Sequence, residues 1–227
     1  MGRTAHGAPH IGERKGATMR SVKLAKLTLA GVFAAGWLGA AAGSGWAAEF
    51  SADVTEQRGG ETTGGRIYVK GDKIRREAVQ KGEEGVMIVR MDKGVVWMVT
   101  PKEKKYVEMG GMAQGDMNSP EMQKQMEKLA EKKVLGTEKV HGYDCEKVQW
   151  VYREKGLGTM TQWTAKKLQH PIKTEHKDGS GKVTYYSEYR NIQEEKVPDS
   201  LFELPKGYEK MEMPGMGPGR GKARGRQ

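Results

Sequence analysis

Apolar positions in this chain fall into short extended-chain runs, interrupted once by a helical pattern. The densest run is Gly85–Met109, in which Val86, Ile88, Val95, Val96, Trp97 and Val99 flank Asp92-Lys93-Gly94. β-Branched and aromatic residues on either side of a glycine-containing turn predict a hairpin, with Gly94 supplying the positive φ. Both runs are apolar at consecutive positions, as in a sheet covered on both faces. Pro101 ends the second strand, and Lys104–Met109 starts a third.

Upstream, Glu49–Arg58 alternates Phe50, Ala52 and Val54 with Ser51, Asp53 and Thr55, an opening strand with one polar face. Gly59–Gly65 predicts a turn and Arg66–Lys70 a second strand. Gly71-Asp72 turns into the charged strand Lys73–Val79, and Lys81–Gly85 turns again. The period then changes. Ser119 suits a helix cap, Pro120 the first helical position and Glu121 the positive end of the dipole. Met122, Met126, Leu129 and Ala130 follow at i, i+4, i+7 and i+8, opposite Gln123, Lys124, Glu127, Lys128 and Glu131. This predicts one amphipathic helix of about 15 residues over 119–133, which needs a partner surface.

Strands resume at Lys133–Val140, Tyr143–Arg153, Thr159–Thr164, Ile172–His176 and Lys182–Asn191, with turns at His141-Gly142, Gly156–Gly158 and Lys177–Gly181. Asp199–Phe202 suits a short helical turn between Pro198 and Pro205. The predicted class is mainly β (α+β): a curled antiparallel sheet or incomplete β-barrel covered by one amphipathic helix.

The ends of the chain differ from its middle. Arg20, Lys23 and Lys26 precede the uncharged stretch Leu27–Ala48, and Gly45-Trp46-Ala47 offers small residues for cleavage after Ala47. Residues 1–47 therefore read as a secretory signal with an extension ahead of Met19. The alternative is a membrane anchor over 27–48, although its Ala/Gly composition makes insertion weak. Residues 48–211 would form one domain in the periplasm. Residues 212–227 have no apolar periodicity and read as a disordered tail carrying Arg220, Lys222, Arg224 and Arg226, a weak contact for anionic membranes.

The net charge of +10 comes from those ends. Glu49–Pro214 holds 29 basic and 28 acidic residues, so a basic nucleic-acid-binding face is unsupported. The single cysteine, Cys145, precludes an intrachain disulfide and reads as a small buried residue.

Motifs for catalysis are missing. There is no His-Glu-x-x-His, Cys-x-x-Cys or Gly-x-Ser-x-Gly. Gly179-Ser180-Gly181-Lys182 has only the outline of a phosphate loop, since His176 replaces its first glycine and Val183 its magnesium-binding hydroxyl. No cofactor and no enzymatic activity are expected. Methionine is abundant, and Met109, Met112 and Met117 could hold a soft metal such as Cu(I) in an exported protein. The competing reading is flexible apolar packing.

Four stretches taken together, DKGVVWMVTPKEKKY (92–106), GTEKVHGYDC (136–145), WTAKKLQHPI (163–172) and PDSLFELPKGYEKM (198–211), resemble an uncharacterised bacterial family. That family belongs with the periplasmic lipoprotein carriers of the LolA/LolB-like superfamily. The resemblance implies a half-barrel whose concave apolar face binds acyl chains, lipids or lipoproteins. The chain departs from it in having one predicted helix rather than several, and no evident equivalent of the arginine such carriers use in release.

The resulting expectation is a monomeric binding or carrier protein holding an apolar or acylated ligand between the sheet and the helix. Trp97, Val99, Met122, Met126, Leu129 and Trp150 are the expected lining. Two rival classes stand beside it: a Met-rich copper-handling protein, and an envelope scaffold acting through its basic tail.

Overall fold

The computed structural model describes residues 48–80, 82–110 and 120–212, and in them the alternation becomes strand after strand. β1 (Glu49–Arg58), β2 (Glu61–Lys70), β3 (Lys73–Gln80), β4 (Glu83–Arg90), β5 (Val95–Thr100) and β6 (Lys105–Gly110) form a first meander. After α1 (Pro120–Leu129), a second meander comprises β7 (Ala130–Val140), β8 (Tyr143–Tyr152), β9 (Thr159–Ala165), β10 (His170–Lys177) and β11 (Val183–Gln193). A 3-10 turn at Asp199–Phe202 and the two-residue β12 (Glu209–Lys210) follow.

All twelve strands belong to one open, curled sheet, ordered β12-β6-β5-β4-β3-β2-β1-β11-β10-β9-β8-β7. The meanders join where β1 pairs with β11, Val54 standing opposite Tyr189. β12 is the parallel member, laid along β6 with Glu209 opposite Lys105.

Directly opposed residues share a face of a sheet, so the register sorts the side chains into two sets. One face carries Phe50, Ala52, Val54 and Glu56, then Ile67, Val69, Ile74 and Arg76. It continues through Tyr189 and Tyr185 of β11 to Met160 of β9 and Trp150 of β8. This face, termed inner, holds Phe50, Ala52, Val54, Ile67, Val69, Ile74 and Tyr189 of the main buried cluster, which also takes in Trp163 of β9. On the outer face, Ser51, Tyr68, Arg75, Ile88 and Trp97 stand in one cross-strand row.

The consecutive apolar residues of β4 and β5 have their cause in a strap at 197–208. Val197 and Phe202 pack against Val86, Ile88, Trp97 and Val99 on the outer face, with Leu201, Leu204 and Tyr208 partly buried around them. Charged contacts fix the strap: Lys70 and Lys73 each bond to Asp199 at 2.9 Å, and Arg75 donates to the Leu201 carbonyl at 3.1 Å.

Three expectations change. The turn expected at Gly59–Gly65 is only Gly59-Gly60, because β2 begins at Glu61 and pairs with β1 through its glycines. A Cβ on Gly65 would lie 2.0 Å from the Glu77 carbonyl oxygen, so a residue that looks like a breaker is a close-approach site inside a strand. The turn expected at Lys81–Gly85 is likewise shortened, β4 starting at Glu83.

The helix is the third correction. It ends at Leu129 rather than Lys133, since Ala130 and Glu131 already pair with Tyr152 and Val151. Arg153 fixes this exit, its N–H donating to the Leu129 carbonyl at 2.9 Å and its guanidinium to the Glu127 carbonyl at 3.2 and 3.3 Å. Strand pairing gives residues 130–133 hydrogen-bond partners that a helix terminus lacks. Ala130 is buried, but as the first residue of β7. Residues 1–47, the connector at 111–119 and residues 213–227 lie outside the described residues.

Candidate functional site

Along β1 the inward positions change from Phe50, Ala52 and Val54 to Glu56 and Arg58, so an apolar face turns charged partway down one strand. β3 does the same from Ile74 to Arg76. The sheet brings these positions together with β11. Arg76 Nη1 lies 2.6 Å from Glu56 Oε1, and the Tyr185 hydroxyl donates to that same oxygen at 2.5 Å. The Arg58 guanidinium lies over the Tyr185 ring, 5.1 Å from its centroid.

This polar set sits between two apolar groups. Phe50, Val54, Ile67 and Tyr189 belong to the main cluster; Ala130, Val148, Trp150 and Met160 form another, with Tyr152 packed against it. Glu56 is 2% exposed, while the Arg76 side chain keeps 11% of its surface. The ion pair is therefore desolvated but not sealed.

The surroundings set the protonation states. Burial pulls the Arg76 guanidinium down, but the Glu56 charge and the flanking Tyr189 and Tyr185 more than offset this and raise it overall. Burial first, then the Glu56 charge, pushes the Tyr185 phenol up. Burial pushes Tyr189 up to about 12. At neutral pH the set thus comprises a charged guanidinium and neutral phenols around the Glu56 carboxyl.

The expected lining residues do not converge on one face. Trp150 is on the inner face opposite Met160. Trp97 and Val99 are on the outer face beneath the strap, where Trp97 Nε1 donates to Glu108 at 2.9 Å. Val99 lines an outer cleft of about 420 Å³ with Val79, Val86, Pro101, Pro205 and Tyr208. Met122 and Met126 lie in α1, Met126 half-buried, and Leu129 is 57% exposed. α1 packs on β7. Of the candidate metal ligands, Met109 stands opposite Val96 in β6, and Met112 and Met117 lie outside the described residues.

Glu56, Arg76 and Tyr185 were not singled out from the sequence. Their signal was available in β1, where Glu56 and Arg58 continue the parity of Phe50, Ala52 and Val54. The contacts with Arg76 and Tyr185 required the strand order.

The family model described as Domain of unknown function (DUF4412) matches residues 54–170, just over half of the chain. The chain belongs to that family. The match includes Glu56 and Arg76 and stops before Tyr185. No curated protein matches the sequence.

Among solved structures, an uncharacterized conserved protein from Thermus thermophilus is similar at 15% identity and a TM-score of 0.54, over 73% of this chain and 90% of that one. The MucA/MucB complex of Pseudomonas aeruginosa is similar at 11% identity and a TM-score of 0.51, over 69% of this chain and 56% of that one. This DUF4412 chain thus spans little more than half of the Pseudomonas protein it matches. The neighbours also include a LolA superfamily protein, NE2245 from Nitrosomonas europaea, at 11% identity and a TM-score of 0.31, over 69% and 90% of the two chains. The first two likenesses concern the fold alone.

Proposed function

We propose that this DUF4412 protein is an exported, carrier-type binding protein whose inner sheet face holds an apolar or acylated ligand. The observation that carries the reading is the ion pair of Glu56 and Arg76, set among apolar side chains on one face of an open sheet. Removing two charges from water costs several kcal/mol per ion before their attraction is counted, and apolar residues of like volume often serve stability as well. A face needed only for packing gains little from such a pair. A face that receives a molecule with a polar end and an apolar body gains orientation from it. The neighbouring Trp150, Met160 and Val148 supply the apolar body's platform.

The LolA-like resemblance and the similar folds support a binding rather than a catalytic role. Among the described residues no helix is long and apolar enough to cross a membrane.

Organic extraction and mass spectrometry of the protein purified from its native envelope test the reading, together with titration of a fluorescent acyl probe. A stoichiometric acylated or lipidic molecule, displaced by the probe, is expected. An extract free of such molecules, with no saturable probe binding, overturns it.

A further inference from the structure

The two edges of the sheet are finished differently. At one, β12 covers part of β6, with Glu209 opposite Lys105 and Lys210 opposite Tyr106. At the other, β7 runs for 11 residues and, among the described residues, has no strand beyond it. Every residue from Glu131 to Lys139 is exposed, Val134 at 62% and Leu135 at 49%.

The ladder shows which backbone groups face this open edge. Arg153 N–H donates to the Leu129 carbonyl at 2.9 Å, and Tyr152 N–H to the Gly158 carbonyl at 3.0 Å. Odd-numbered residues of β8 therefore bond to β7 and even-numbered ones to β9. The β7 residues opposite even-numbered positions are Ala130, Lys132, Val134, Thr137 and Lys139. Their N–H and C=O groups point away from β8. Between Val134 and Thr137 lies a bulge, in which Leu135 is the extra residue and Gly136 takes a φ of 109°.

Lysines and bulges commonly keep an edge strand unpaired, but this edge is complementary to itself. We propose that a second copy of the chain occupies it, β7 against β7, antiparallel about a two-fold axis between Leu135 and Gly136. That register sets Val134 of one copy opposite Thr137 of the other, and Lys132 opposite Lys139, so outward backbone groups meet outward groups. The two bulges coincide at the axis. Leu135 there faces Gly136, beside which an added Cβ meets nothing within 4 Å, so the glycine leaves room for the leucine. Lys133 stands opposite Glu138 on one face of the joined sheet, and symmetry repeats the pair. Glu138 also accepts from Lys147 at 2.8 Å through Oε2, and a carboxylate takes a donor on each oxygen. The like charges of Lys132 and Lys139 are offset by Asp144, 3.2 Å from Lys139. A register shifted by two residues would set Glu131 against Glu138 and move the bulges apart.

The contact is isologous and closes at two copies. One strand per copy buries less than the roughly 1,600 Å² of a standard interface, so a reversible dimer with a dissociation constant on the order of 10 μM is expected.

Sedimentation equilibrium of the purified protein from about 1 to 300 μM, which brackets such an association, tests this. The wild type should pass from monomer to dimer and stop there. Val134→Pro removes an outward N–H and no bond to β8, so it should keep the protein monomeric with its thermal midpoint nearly unchanged. Leu135→Lys, at an exposed position, should do the same and serves if the proline variant folds poorly. Lys133→Glu and Glu138→Lys should each weaken the dimer by about fivefold, and Lys133→Glu/Glu138→Lys should restore most of the loss. A wild type that stays monomeric throughout, leaving the edge to water or to a strand of another protein, overturns the proposal. So does a dimer undiminished in both Val134→Pro and Leu135→Lys, or an open-ended series of larger species. Charge reversals without recovery in the double variant overturn the register.

Discussion

Arg90 donates from Nη1 to the Phe202 carbonyl at 3.2 Å, so the last residue of β4 holds the strap that covers the outer face. The same guanidinium bonds to Asp92 at 2.7 and 2.5 Å and to the Glu203 carboxylate. The hydrogen bond from Arg90 and the adjacent positive charges lower Asp92, and those from Arg90 and Lys93 lower Glu203. With its side chain 6% exposed, Arg90 ties sequence-distant segments together where water competes poorly. Arg90→Met should cost about 1.5–3 kcal/mol in urea denaturation, the range for hydrogen bonds to charged groups, and loosen the strap first. Faster hydrogen exchange at 199–204 than in β1 would show that order; unchanged stability would mean the strap is held by Val197 and Phe202 alone.

Two adjacent glycines in β2 should respond in opposite ways to one methyl group. A Cβ on Gly65 meets the Glu77 carbonyl oxygen at 2.0 Å and neighbouring backbone at 3.0 Å, whereas one on Gly64 meets nothing within 4 Å. Gly65→Ala should destabilise by about 1–3 kcal/mol, as overpacking against an unyielding backbone does. Gly64→Ala should be neutral or slightly stabilising, since alanine gives up less backbone entropy on folding. Equal midpoints for the two variants in thermal denaturation would contradict the register of β2 with β3.

Stability should fall on mild acidification because of His170. Its ring packs edge-on to Phe50, with centroids 5.4 Å apart, and stacks on Tyr189 at 5.8 Å. Burial lowers its pKa to about 4, from an unfolded value near 6.5. The unfolded chain therefore takes up the proton first. The contribution is complete above about pH 6.5 and is lost as pH falls toward 4, on the order of 3 kcal/mol in total. Denaturant midpoints between pH 7 and 4.5 should drop in the wild type and drop less in His170→Gln. Parallel profiles would assign the acid sensitivity to carboxylates instead.

How much of this was legible depended on the range of the interactions. Strand β1, the turns at Gly71 and Gly94 and the helical turn at Asp199–Phe202 follow from local chemistry, and the sequence places them closely. The Gly64-Gly65 pair misled because glycine in a turn and glycine under a crossing backbone look alike until the neighbouring strand is known. The helix end misled for a related reason: Ala130–Lys133 keeps helical periodicity, and only pairing with β8 decides against it. The site was hidden most deeply. Glu56, Arg76 and Tyr185 lie 20 and 109 positions apart in sequence, and β1 meets β11 only when both meanders close into one sheet. β12 escaped entirely, since two residues leave no period to read.

The two faces of the sheet make a last distinction that tryptophan fluorescence can read. Trp97 and Val99 were grouped with Trp150 because an apolar run does not reveal which way its members point. The register separates them: Trp97 follows Ile88 and Arg75 on the outer face, while Trp150 follows Met160 and His176 on the inner. Trp163 is also off the inner row, opposite Lys173 and Lys147, with their ammonium groups 4.6 and 4.9 Å from its ring centroid. Of the tryptophans in the described residues, Trp150 is the one on this row, and a ligand laid along it should therefore change emission mainly from Trp150. Trp150→Phe should abolish the ligand-induced change, and Trp97→Phe should leave it intact with about the same affinity. The aromatic replacement keeps most of the buried volume, so the comparison concerns position rather than folding. The reverse result would move the ligand to the outer cleft of about 420 Å³ beside Val99, Pro205 and Tyr208, and would make the strap its cover.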